Sequence, residues 1–73
     1  MKKILVNTIT NQKYQLTKID KKYLDTISIG KIIHLGILPN GDCTIYDGLT
    51  FVKSAKYTKV EILDINKDII YFA

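Results

Sequence analysis

The chain has 73 residues, is 47% hydrophobic and carries a formal net charge of +4. Its single cysteine and single histidine exclude an internal disulfide and a structural zinc site, so a domain of this size rests on its core or on self-association. All eleven basic residues are lysine; the charge suits an anionic partner, but without arginine's planar fork base-specific reading of duplex DNA is disfavoured.

The length fits a single domain, residues 1–73. No run approaches the ~18 apolar residues of a membrane-spanning helix. At the start, MKKILVN, Asn7 interrupts the apolar run after Ile4, Leu5 and Val6, well short of the roughly 7–15 residues of a secretion signal. A cytoplasmic, unprocessed protein without membrane association is expected.

Lys3 to Ile9 alternates, with Ile4, Val6 and Thr8 on one face and Leu5, Asn7 and Ile9 on the other, and reads as a strand. Thr10 to Gln12 supplies a turn. Lys13 to Ile19 returns with Tyr14 and Leu16 as its inward pair, completing a first hairpin. Asp20 to Thr26 is polar and aperiodic, a connection with room for one helical turn. Its Tyr23 and Leu24 are expected to tuck back over an open end of the core.

Ile27 to Leu38 carries the strongest pattern. Ile27, Ile29, Ile33, Leu35 and Ile37 occupy odd positions, which predicts one long strand with that face inside. Gly30 and Gly36 would let it bend and so serve both sheets of a small barrel. Asn40-Gly41 fits a type I′ turn, where both central residues take positive φ. The return run places Cys43, Ile45 and Asp47 on one face, the inner one, and Thr44 and Tyr46 on the other. Cys43 reads as a small buried hydrophobe and not a nucleophile, since no basic group adjoins it.

After the Asp47-Gly48 turn, Leu49 to Lys53 reads as a short strand with Leu49 and Phe51 inside. Tyr57 to Leu63 alternates, with Val60 and Ile62 inward. Its β-branched content favours a strand over the helix that the spacing of Phe51, Ala55, Thr58, Ile62 and Ile65 also allows. A turn around Asn66-Lys67 leads to a last strand, Ile69 to Ala73, apolar on both faces. Together these elements predict an all-β fold: a small antiparallel barrel of five or six strands, of the Src-homology-3 or OB kind.

Residues that could carry catalysis are scarce. A nucleophile–base set would need His34 with Cys43 or a serine, yet His34 falls on the outward face of its strand and Cys43 on the inward face of its own. No enzymatic activity and no cofactor are expected. The acids Asp20, Asp25, Asp42, Asp47, Asp64 and Asp68 lie mostly in or beside turns, where aspartate bonds its own backbone. Asp64 to Asp68 has the look of an opening calcium loop but lacks its central glycine and closing glutamate, so no metal site is expected.

Binding surfaces remain. With the inner face filled, Leu5, Ile9, Ile19, Ile32, Leu63, Ile65, Ile69 and Tyr71 are left on outward or ambiguous positions, a larger apolar surface than a monomer normally exposes. The last strand, apolar and free of proline, must either sit centrally or pair with another chain. Ile69, Tyr71, Ile65, Leu63 and Ile32 are therefore the candidate contacts for a protein partner or a second copy. Lysine groups offer the alternative. Lys18, Lys21 and Lys22 cluster just before Tyr23, and Lys53, Lys56 and Lys59 bracket Tyr57. Basic groups with stacking aromatics on a small barrel are the means by which single-stranded nucleic acid is held without sequence preference.

Two segments carry a resemblance. Thr8 to Leu16 (TITNQKYQL) resembles the TxNSxYxL hairpin of small phage-encoded proteins of low-GC Gram-positive bacteria, and Tyr57 to Ile62 (YTKVEI) is similar to the TSxVxxI strand of the same proteins. Gln12 and Lys59 stand where those motifs have serine, and the hairpin opens the chain instead of closing it. The resemblance implies a mobile-element origin and a function by binding: inhibition of a host enzyme or defence complex, or regulation. It assigns no functional residue.

Overall fold

The computed structural model describes residues 3–73. Its strands are β1 (Ile4–Asn7), β2 (Lys13–Gln15), β3 (Ile32–Ile37), β4 (Cys43–Ile45), β5 (Lys56–Asn66) and β6 (Ile69–Phe72), with one helical turn, α1 (Lys21–Leu24), between β2 and β3. They form a six-stranded sheet in the order β2-β1-β6-β5-β3-β4. The sheet curls until its two edges meet. Leu16, just past β2, bridges to Cys43 of β4, and the Thr17 amide donates to the Cys43 carbonyl at 2.8 Å. The all-β barrel is thus nearly closed, and its edge strands are short, which limits open backbone.

One strand pair departs from the antiparallel expectation. β6 runs parallel to β1, with Leu5 beside Ile70 and Asn7 beside Phe72, and antiparallel to β5. Leu5 and Ile70, paired in this register, are both buried and join Phe72 in the core with Leu16, Ile27, Ile33, Leu35, Cys43, Ile45, Val60 and Ile62. The inward face of β1 is therefore that of Leu5, and Ile4 and Val6 point outward.

The long bent strand of this barrel is β5, not Ile27–Leu38. Gly30 takes φ +90°, outside the extended region, and the Lys31 amide donates to the Ser28 carbonyl. Residues 27–31 therefore make a turn, and the alternation that crosses Gly30 breaks there: Ile27 is buried, but Ile29 is 63% exposed. β5 instead extends over 11 residues. It pairs with β3 through Lys56 to Glu61 and with β6 from Ile62 to Asn66, and a bulge at Leu63 within the second ladder re-aims its far end. It is a strand throughout, which removes the helical alternative.

The β3–β4 connection also differs from expectation. Gly41 takes φ +89°, whereas Asn40 does not have positive φ. The turn runs from Leu38 to Gly41, closed by the Gly41 amide donating to the Leu38 carbonyl at 3.0 Å. Pro39 occupies the first central position of that turn, and its ring holds φ negative, so a type I′ turn cannot form. In β4, Thr44 is fully buried, not outward, because the chain after β2 crosses over it. Its hydroxyl donates to the Lys18 carbonyl at 3.2 Å.

Helix α1 follows from its cap. The Asp20 carboxylate accepts from the Lys22 amide at 2.8 Å, and the turn ends where the Thr26 hydroxyl donates to the Tyr23 carbonyl at 2.7 Å. Tyr23 and Leu24 pack against the core from this turn, as the sequence suggests.

Candidate functional site

The segment from Asp47 to Ala55 does not form the expected strand, and its departure builds the most distinctive surface of the molecule. The Asp47 carboxylate accepts from the amides of Leu49 (2.8 Å) and Thr50 (2.6 Å), and Gly48 takes φ +90°. This Asx turn reverses the chain before an extended run can start. Leu49 and Phe51, expected inside, are 83% and 63% exposed. Those amide bonds stabilise the ionised carboxylate and hold its pKa below the usual 3.8.

Phe51 comes to rest on the outer face of β3–β5. Its ring stacks on Tyr57 of β5, with centroids 5.2 Å apart and an interplanar angle of 17°. Tyr46, following β4, meets both edge-on, at 6.0 Å from Phe51 and 6.3 Å from Tyr57. Such pairs prefer these offset and edge geometries, at about 0.5–1.5 kcal/mol each beyond area burial. The cluster is braced from below and from the side. Gly36 of β3 lies opposite Tyr57, and a Cβ there would come within 2.7 Å of the Tyr57 ring. The missing side chain lets that ring lie down on the sheet. The Val52 amide then donates to the Tyr57 hydroxyl at 2.9 Å, tying the loop to the strand.

His34 joins the same face two residues before Gly36. It is exposed, and its cross-strand neighbour is Lys59. His34, Tyr46, Phe51 and Tyr57 line an open depression of about 360 Å³. Lys53, Lys56 and Lys59 flank it along the chain; all are exposed, and among the described residues the ion pair within 4.0 Å joins Lys3 and Asp68 instead. The sequence reading identifies Tyr57 and its lysines and sets His34 and Tyr46 on outward faces without joining them to that group, and it places Phe51 inside. The missed signal was Asp47-Gly48 followed by two hydrophobics, which reads equally as a turn into a strand or as an Asx turn presenting those side chains.

The second lysine group behaves differently. Lys18, Lys21 and Lys22 are exposed, but Tyr23 is half-buried against the core, with the Lys31 ammonium 4.8 Å over its ring. Tyr23 is spent on packing and on that cation and does not offer a free stacking face.

The partner-binding candidates separate into three kinds. Ile65 is half-buried and packs against the core, opposite Ile70. Ile69 and Tyr71 point outward but are half-buried, and β6 lies between β1 and β5 with both its edges paired. Pairing of this strand with another chain is therefore overturned; of the two outcomes open to an apolar terminal strand, it takes the central one. Leu63 on the bulge and Ile32 on β3 are exposed, at 41% and 59%. With Ile4 and Val6 beside Ile69 and Tyr71, they leave an apolar strip on the outer wall.

Neither His34 nor the turn carboxylates assemble with Cys43. Its thiol is fully buried and pushed up to about 12 by burial, with Asp42 adding to the effect, so it is protonated and unreactive at neutral pH. Among the described residues no cluster of His, Cys, Asp or Glu could hold a metal ion, and no helix is long and apolar enough to cross a membrane.

No family model, curated protein or solved structure matches the chain. What the fold defines is a small, nearly closed all-β barrel.

Proposed function

We propose that this is a non-catalytic binding protein whose working surface is the aromatic platform of Tyr46, Phe51 and Tyr57 with His34. The observation that carries this reading is Phe51: a large apolar ring, 63% exposed, yet stacked and braced in place. Rigid, partly exposed aromatics contribute large contact area at low entropic cost when a partner covers them. The resemblance to phage-encoded proteins supports a finer reading, an accessory protein of a mobile element acting on a host complex.

A photo-crosslinking aromatic amino acid placed at position 51, 71 or 9 in cells producing the protein tests this. Ile9, 78% exposed on the first hairpin, serves as the control. A macromolecular adduct specific to position 51 supports the platform. Adducts at 71 alone, or none, overturn it.

A second reading, a protein partner on the strip of Ile4, Ile69, Tyr71, Leu63 and Ile32, is favoured by the outward pairing of Ile4 with Ile69 and Val6 with Tyr71. The same experiment supports it if position 71 alone forms a protein adduct.

A further inference from the structure

We infer that the occupant of the aromatic platform is a single-stranded polynucleotide, held by base stacking on Phe51 and Tyr46 and by lysine contacts to phosphate. The inference rests on the platform being the working surface and names its ligand.

Stacking geometry and charge point the same way. Phe51 lies against Tyr57 on one side, and at 63% exposure its opposite face is open. Tyr46 stands almost perpendicular to it and forms a wall of the depression, with His34 across the floor. A planar base can lie on one ring and abut the other. Every base has a π-face, so this arrangement discriminates little among sequences.

The charge around the platform is basic. Lys59 stands beside His34 across the β3–β5 pair, on the face that Tyr57 shares, and Lys53 follows Phe51 by two residues; Lys56 adjoins Tyr57 in the chain but alternates to the opposite face of β5. The acids nearest in the chain and sheet are Asp47, whose Oδ1 is engaged by the Leu49 and Thr50 amides, and Glu61, beyond Lys59 on β5 beside Ile32. An acidic backbone passing over the lysines is attracted; an acidic groove of the kind that would select a basic peptide is absent from these described residues. Lysine provides point charge without base-specific geometry, in keeping with phosphate contact and not edge reading. Duplex is disfavoured because its bases are already stacked and paired.

Fluorescence anisotropy with labelled oligothymidine and oligouridine, and with a duplex of equal length, tests the assignment. Expected is binding to single strands that exceeds binding to duplex. The two single strands distinguish DNA from RNA as the preferred source. Phe51→Ala should weaken the complex roughly 5- to 150-fold, the range of one lost stacking contact. Ile9→Ala should leave it unchanged, and Phe51→Tyr should restore it. With Lys53 and Lys59 on phosphates, the slope of log affinity against log salt is about −1.4, and Lys59→Gln reduces its magnitude by about 0.7. Far-ultraviolet circular dichroism checks that each variant is folded, and Phe51 is exposed enough for truncation to be tolerated. No single-strand binding at low salt, equal binding of duplex, or binding indifferent to Phe51→Ala overturns the inference. A protein adduct at position 51 together with no oligonucleotide binding overturns the nucleic-acid ligand but leaves the platform as the working surface. Loss of both overturns the platform itself.

Discussion

Gly36→Ala is the sharpest probe of how the platform is built. Gly36 does not have positive φ, so alanine meets no backbone penalty there. In open space the change would stabilise the protein by about 0.4–1 kcal/mol, by restricting the unfolded chain. Space is what the site lacks: the new Cβ would lie 2.7 Å from Tyr57 Cε1, 2.9 Å from its Cζ and 3.0 Å from the Ala55 Cβ. Overpacking of this kind costs about 1–3 kcal/mol. Moving the Tyr57 ring also strains its bond from the Val52 amide and its stack with Phe51. We expect a net loss of about 1–2 kcal/mol, or roughly 5–15 °C in Tm for a domain of this size. Urea unfolding followed by tyrosine near-ultraviolet circular dichroism measures both the stability and the cluster. The same substitution in a Tyr57→Ala background should cost far less or be neutral, because the two closest contacts, both to the Tyr57 ring, have gone and only that to the Ala55 Cβ remains. A Gly36→Ala protein as stable as the parent, or one that loses as much stability with Tyr57 removed, refutes the proposed packing.

Other outcomes follow from the core and the turns. Cys43 is expected to resist alkylation at pH 8 until urea unfolds the chain. Its folded pKa of about 12 lies above the unfolded 9.0, so the thiol's contribution to stability is complete below pH 9 and is lost as pH rises from there toward 12; a Cys43→Ala variant with the same alkaline profile would count against it. Asp47 has the opposite sign: its folded pKa is lowered, so its contribution is complete above about pH 4 and is lost as pH falls through the folded value. The Leu49 and Thr50 amide resonances should titrate with a midpoint below 3.8, and a midpoint above it would show that the Asx turn is not formed. Leu35→Ala, at a position 1% exposed, should cost about 2–5 kcal/mol and leave little folded protein at 37 °C. Phe51→Ala should cost about 1–3 kcal/mol, the worth of its two ring pairs with Tyr57 and Tyr46; a thermal melt that shows no loss would mean that the three rings are not held together.

The all-β class was legible because period-two alternation survives in β1, β3 and β5, and because the short apolar run of β6 has no other use in a chain this small. Individual faces were less so. Leu5 and Ile4 are equivalent in the sequence, and only the register against Ile70 makes Leu5 the inward one. Ile29 continues a pattern that Gly30 has already broken, since a glycine at positive φ turns the chain without altering the list of hydrophobics. Phe51 was misplaced for the converse reason: hydrophobicity predicts burial, while the Asp47 carboxylate, by capturing two amides, dictates where the ring can go. Tyr57 and Lys59 were legible because lysines cluster around a tyrosine within a few residues of sequence. Tyr46 and His34 join them only through the three-dimensional pairing of β3 with β4 and β5.

The place of β6 has a consequence for how the chain comes into being. The last strand in chain order is the third in the sheet, and it holds β1 on one side and β5 on the other. Until it emerges from the ribosome, the first hairpin has no β-ladder to the β3–β5 half, and Leu5, Ile62 and their neighbours lack Ile70 and Phe72 to close over them. Nascent chains should therefore stay open until the segment Ile69–Phe72 is free to dock, and acquire protease resistance in a single step at that point.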